Sequence, residues 1–142
     1  MKILEVNNLI KTFKDPNNNS FKVLDDITFS LKTGEVLGLV GESGSGKTTL
    51  GRTIIRLTNQ DSGKIIFNSL DISNLSKSAM KKVRKEIQII FQDPFGSLNP
   101  RHSIERIIGE PLLVHNYGNY NEIKKRILEL LDQVGLPSDS MT

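Results

Sequence analysis

The chain has 142 residues, 37% of them apolar and 25% charged, which is the balance of a globular domain and excludes a disordered or membrane-spanning chain. The absence of cysteine excludes a disulfide framework, a thiolate metal site and a thiol nucleophile. Lys plus Arg number 19 against 16 Asp plus Glu, and a net charge of only +3 argues against a nucleic-acid-binding stripe, so no nucleic acid partner is expected.

Near the start, Lys2 is followed only by Ile3 and Leu4 before Glu5, too little for the apolar region of a signal peptide. No run approaches the roughly 18 continuous apolar residues of a membrane helix. The expectation is a cytosolic chain. Leu4 and Val6 predict a short first strand, and Asp15-Pro16-Asn17-Asn18-Asn19-Ser20 is turn chemistry. Phe21, Val23, Ile27, Phe29 and Leu31 then alternate with polar residues, Asp25 excepted, which predicts a half-buried antiparallel strand over 21–32.

From Gly34 the pattern changes. Val36, Leu37, Leu39 and Val40 form a compact apolar run, as for a strand covered on both faces. Glycines follow, and Leu50, Ile54, Ile55 and Leu57 recur at near-helical spacing. Asp61-Ser62-Gly63 is a turn before an apolar strand, Ile65-Ile66-Phe67. The polar stretch 76–86 predicts a helix that feeds a second compact strand, Ile87, Ile89, Ile90 and Phe91, ending at Gln92-Asp93-Pro94. Beyond it the chain reads as helices: one begins at Ile104, Ile107 and Ile108 and is ended or kinked by Pro111. Another starts at Asn121 as N-cap, carries Ile123, Ile127, Leu130, Leu131 and Val134 on one face, and stops at Gly135.

The strongest signal is Gly41-Glu42-Ser43-Gly44-Ser45-Gly46-Lys47-Thr48, which fits G-x-x-x-x-G-K-[ST] at every fixed position. Three glycines let the backbone curl with its N–H groups inward, forming a nest for phosphate oxygens, and the following helix adds its positive dipole end. Lys47 is expected on the β- and γ-phosphates, Thr48 on Mg²⁺ and Thr49 on the α-phosphate. A chance glycine turn is the rival reading; a two-sided strand before the loop and an amphipathic helix after it weigh against that rival. No [NT]-K-x-D motif of GTP-binding proteins occurs, and Asp93-Pro94-Phe95-Gly96 matches only their short D-x-x-G pattern.

Taken in order, these landmarks resemble the ATP-binding subunit of an ABC transporter. Leu9-Ile10-Lys11-Thr12-Phe13 looks like the family's A-loop, Val23-Leu24-Asp25-Asp26-Ile27-Thr28-Phe29 like the strand after it, and Ile89-Ile90-Phe91-Gln92-Asp93-Pro94 like its Q-loop. The phosphate loop continued through Thr49-Leu50-Gly51-Arg52, and the string Phe91 to Arg101, resemble the peptide and nickel importer branch, and within it the second ATPase subunit of oligopeptide or dipeptide importers. Glu110-Pro111-Leu112 fits the same branch.

The resemblance implies an α/β fold: a P-loop nucleotide-binding core with parallel strands, an N-terminal antiparallel β subdomain, and the start of a helical subdomain. Residues 1–92 would form the first two, and 93–142 the Q-loop exit and a partial helical subdomain. It implies ATP and Mg²⁺ as ligands, with Lys47 and Gln92 catalytic, Thr48 and Gln92 on the metal, and Phe13, Val23 and Gly41, Glu42, Ser43, Gly44, Ser45, Gly46, Lys47, Thr48 and Thr49 around the nucleotide. Phe13 is either a platform for adenine or an ordinary core aromatic, Val23 a flank of the base or core alone, and Gln92 a metal and water contact or a polar strand end. The implied partners are transmembrane permease subunits, a second ATPase in a nucleotide-sandwich dimer and, indirectly, an extracytoplasmic solute-binding protein, at the cytoplasmic face of the membrane. The implied role is ATP hydrolysis driving import of oligopeptides, dipeptides or a related solute such as nickel. An LSGGQ-type signature, an Asp-Glu Walker B strand and a switch histidine are not found, so the expectation is the N-terminal part of a longer domain, binding nucleotide and inactive by itself. A P-loop kinase of another kind is the more distant alternative.

Other features have plainer readings. Lys77, Lys81, Lys82, Arg84 and Lys85 form either a site for anionic lipid or nucleic acid or a solvated helix face. His102 and His115 have no carboxylate or histidine at metal-ligand spacing in the sequence and read as surface residues.

Overall fold

The computed structural model describes residues 1–141, apart from the side chains at positions 94 and 95. It divides into two compact units, 1–89 and 90 onward. Thr142, the last residue of the expected helical part, lies outside the described residues.

The first unit is built on a four-stranded antiparallel sheet. Strand β1 (Lys2–Lys14) is central and pairs with β2 (Ser20–Lys32) on one side and β3 (Ser62–Phe67) on the other; β4 (Leu70–Asp71) extends β3. The first strand is far longer than the pair Leu4 and Val6 suggested, because both of its edges carry ladder hydrogen bonds. Helix α1 (Lys47–Ile54) and helix α2 (Lys77–Val83) complete the unit. Val6, Leu9, Leu24, Ile65 and Phe67 from the sheet meet Leu50 of α1 and Met80 and Val83 of α2 in one core. Each fully covered side chain there contributes about 1.5–3 kcal/mol of hydrophobic stabilisation.

The alternation in β2 hides a bulge. Leu24 is buried and Ile27 half-buried, three residues apart, so the same face cannot hold both at period 2. Asp26 takes φ 55°, which absorbs the odd residue, and its Oδ1 accepts from Asn8 Nδ2 (2.7 Å) while the Asn8 N–H donates to Thr28 Oγ1 (2.8 Å). The turn 15–20 forms as expected, with Asp15 accepting from the Asn19 N–H at 2.7 Å.

Helix α1 stops after Ile54 although Ile55 and Leu57 continue the apolar pattern. Arg56 adopts φ 57°, its N–H donates to the Thr53 carbonyl (3.0 Å) and the Leu57 N–H to the Arg52 carbonyl (2.9 Å), a Schellman closure made by arginine in place of glycine. The Arg56 side chain reaches the carbonyls of Ile72 and Ser73, and the buried Ser73 hydroxyl accepts from the Ile65 N–H at 2.8 Å.

Two segments expected as strands, 36–40 and 87–91, pair with no strand among the described residues. Val36 and Val40 are 94% and 95% exposed and Ile90 93%. A strand apolar on both faces needs neighbours on its edges and a layer on each side. The antiparallel sheet does not supply them, since its apolar face is already filled by Leu50, Met80 and Val83. The α/β class therefore holds, with the parallel strands of the expected core unpaired.

The second unit contains α3 (Pro94–Ser97), α4 (Ile104–Val114), α5 (Tyr120–Gln133) and a 3₁₀ turn (Ser138–Met141). Its core is Ile123, Ile127, Leu131 and Met141, with Ile104, Ile108 and Leu112 packed on it. Two expectations need correction here. Pro111 does not end helix α4, which runs on for three more residues, its last turn closed by the His115 N–H donating to the Pro111 carbonyl (3.0 Å) while Leu112 packs on the core. The N-cap of α5 is Asn119, not Asn121: its side chain accepts from the N–H groups of Asn121 and Glu122, and Glu122 returns the bond to the Asn119 N–H at 2.7 Å. Gly135, at φ 73°, ends the helix as expected.

Candidate functional site

The loop 41–46 follows a segment that belongs to no strand or helix and enters α1 with no side-chain cap on the helix and no acidic residue in its first turn. Its first N–H groups therefore lack side-chain acceptors, and the positive end of the helix dipole faces the loop. Gly44 at φ 81° and Gly46 at φ 94° supply the left-handed turns. Gly46 is also the point of closest approach to the sheet: a Cβ there would lie 2.9 Å from the Val23 carbonyl oxygen and 3.1 Å from its Cγ1.

Lys47 folds back over this curl. Its Nζ donates to the carbonyls of Gly41 (2.7 Å) and Glu42 (2.5 Å) and lies 3.2 Å from Ser45 Oγ, so three partners surround the ammonium. The Ser45 N–H donates to the Glu42 carbonyl at 3.2 Å, closing the turn beneath it. The result is a cation and a set of helix-end N–H donors gathered within eight residues, an arrangement suited to a polyanion. Ser43 and Thr48 are exposed and Thr49 half-buried, its carbonyl accepting from Thr53 Oγ1 at 2.7 Å. Thr48 on the first turn of α1 offers a hard oxygen donor of the kind Mg²⁺ takes alongside phosphate oxygens and water. Among the described residues no group of three or more His, Asp or Glu side chains gathers at a metal-binding distance.

Phe13 and Val23 belong to the same unit as the loop. Phe13 lies opposite Phe21 at the far end of the β1–β2 ladder, with ring centroids 6.5 Å apart and planes tilted by 35°. It keeps 37% of its surface exposed, more than a core aromatic. Two residues that the sequence did not single out support it. Lys11 Nζ sits 5.3 Å from the Phe13 ring centroid, and Asp61 Oδ1 holds that ammonium at 2.7 Å. Asp61 Oδ2 accepts from the Thr12 N–H at 2.6 Å, and the Asp61 N–H donates to the Ile10 carbonyl at 2.9 Å. The Lys11 hydrogen bond, then the Thr12 amide, hold the Asp61 carboxyl below the ordinary carboxylate range. The only sequence trace of this arrangement is the turn Asp61-Ser62-Gly63. Gln92 is exposed at the beginning of the second unit.

A family model described as ABC transporter matches residues 24–142. The oligopeptide transport ATP-binding protein AppF of Bacillus subtilis is 53% identical over 116 residues, covering 81% of this chain and 35% of that protein. OppF of Streptococcus mutans, also an oligopeptide transport ATP-binding protein, is 45% identical over 99% of this chain and 46% of its own length. Among solved structures, the dimeric bacterial ABC transporter cassette MJ0796 superposes with a TM-score of 0.79 at 25% identity, over 98% of this chain and 60% of that one. Its post-hydrolysis dimer bound to ADP and Pi gives the same TM-score. The chain thus spans less than half the length of these curated relatives.

Proposed function

Because the chain belongs to the ABC transporter family, we propose that it binds ATP with Mg²⁺ through residues 41–49 and that the whole protein hydrolyses ATP to drive import of oligopeptides or dipeptides. The observation that carries this reading is the Lys47 ammonium folded onto the Gly41 and Glu42 carbonyls beside the uncapped start of α1. Catalysis of phosphoryl transfer is chiefly positioning and electrostatic stabilisation. Lys47 would exchange the Gly41 and Glu42 carbonyls for β- and γ-phosphate oxygens, and the amides of Gly41 through Thr49 would donate to the remaining phosphates. Thr48 would offer its hydroxyl to the metal, whose charge would neutralise the phosphates; Gln92, in the second unit, carries the Q-loop role that the family resemblance implies. Phe13 stacks on adenine and Val23 flanks it.

In this reading residues 1–92 are the nucleotide-binding part and 93–142 the exit of the Q-loop and part of a helical subdomain. Permease subunits and a second ATPase are the partners, with a solute-binding protein outside the membrane acting indirectly, and the protein works peripherally at the cytoplasmic face. No helix among the described residues is long and apolar enough to cross a membrane. The names of the oligopeptide-transport relatives favour peptides over nickel as the solute. Equilibrium binding of MgATP to the chain, with phosphate release followed in parallel, tests the first step. Binding without release assigns nucleotide docking to these residues and turnover to the whole protein; no binding overturns the reading. Uptake of labelled oligopeptide and of Ni²⁺ by cells carrying the whole protein separates the two solutes.

A further inference from the structure

We propose that Lys11 and Asp61 are positioning residues for the nucleobase, fixing and polarising the Phe13 ring on which the base stacks. This rests on Phe13 being the platform, as read above. The Lys11 side chain is only 14% exposed, an unusual degree of cover for a lysine, while its Asp61 partner remains 42% exposed. Asp61 engages three successive residues just ahead of Phe13: its carboxylate accepts from the Thr12 N–H and the Lys11 ammonium, and its own N–H donates to the Ile10 carbonyl. That fastening reaches 50 residues along the sequence and leaves the ammonium 5.3 Å from the ring centroid.

A free lysine at the end of a hairpin extends into water. Here the carboxylate keeps it over the aromatic ring, while the tilted Phe21 ring supports Phe13 from across the ladder. An ammonium on one side of an aromatic ring draws electron density towards itself. The open part of the ring then presents a less negative surface, which lowers its repulsion with the π-face of a base. An ion pair that merely fastened β1 to the turn before β3 would change stability and leave base discrimination alone.

The experiment compares MgATP with magnesium tripolyphosphate, which occupies the loop but has no base. The readout is the ratio of their affinities for the full chain, Lys11→Met and Asp61→Asn. The cation–π contribution at a partly exposed site corresponds to about a two- to fivefold change. The ratio is expected to fall by that factor in Lys11→Met, by less in Asp61→Asn, and to return in Lys11→Arg, which restores a cation over the ring. Tripolyphosphate binding itself reports that each variant retains a folded loop. An unchanged ratio in Lys11→Met, in a wild-type chain that prefers ATP, overturns the roles of Lys11 and Asp61 while Phe13 stands as the platform. A wild-type chain that binds both ligands equally overturns the platform and this inference with it.

Discussion

The carbonyl oxygen of Val23 occupies the space that a side chain on Gly46 would need: a Cβ at position 46 would fall 2.9 Å from it. The last glycine of the loop is thus fixed by the neighbouring strand as well as by its own φ of 94°. Gly44 shares the left-handed conformation, at φ 81°, but nothing lies within 4 Å of its missing Cβ.

The two glycines therefore separate strain from collision. Gly44→Ala should cost about 1–2 kcal/mol for the left-handed backbone alone. Gly46→Ala should cost that and roughly 1–3 kcal/mol more, because a strand carbonyl cannot rotate aside as a side chain can. Chemical denaturation of both variants measures the difference, and equal losses would show that the loop does not lean on Val23.

Lys47→Ala should weaken MgATP binding by a factor of 10 or more, on the order of 1.4 kcal/mol or above. Lys82→Ala, on the exposed side of α2, should leave it unchanged. Titration calorimetry on the two variants distinguishes a specific cation from general positive charge.

Acid should loosen the first unit through Asp61. Its folded pKa lies below the unfolded value, so the stabilisation is present above about pH 4 and is lost as pH falls through the lower, folded value. Asp71, held down by the Ser73 hydroxyl and then the Ser73 amide, acts in the same direction. With Asp61 partly open to solvent, Asp61→Asn should lower stability at pH 7 by roughly 0.5–1 kcal/mol, and the gap from wild type should close as pH falls through the lowered, folded value. Thermal melts over a series of falling pH check it; a gap that stays constant down to the acid end of the series would exclude the carboxylate's charge as the cause.

Asn119→Ala should destabilise the second unit by about 1 kcal/mol, while Asn121→Ala should have little effect. Helical circular dichroism during unfolding of both variants checks the position of the cap.

The curled loop at the start of α1 was legible because all of its determinants lie within one contiguous window, Gly41 to Thr48. The support beneath Phe13 was not, because Lys11 and Asp61 are 50 residues apart and no periodicity joins them. The alternation over 21–32 revealed a strand but hid the bulge, since Asp25 and Asp26 read as one polar interruption until Asp26 is seen at φ 55°. The start of α5 was read at Asn121, whereas Glu122 fixes it at Asn119 by completing the capping box, a pairing that the apolar periodicity does not report. At 36–40 the apolar run predicted a covered strand that does not form, because apolar composition creates no hydrogen-bonding neighbours.

Helix α1 has its rear anchored as well as its front. It is about 12 Å long, and beyond its last turn Arg56 grips the carbonyls of Ile72 and Ser73, the latter residue hydrogen-bonded in turn to Ile65 within β3. A pull exerted on the loop is thus carried along a strut braced at both ends and into the sheet. Loosening the brace at Arg56 should let the helix slide along its axis and misplace the loop without altering a single loop residue.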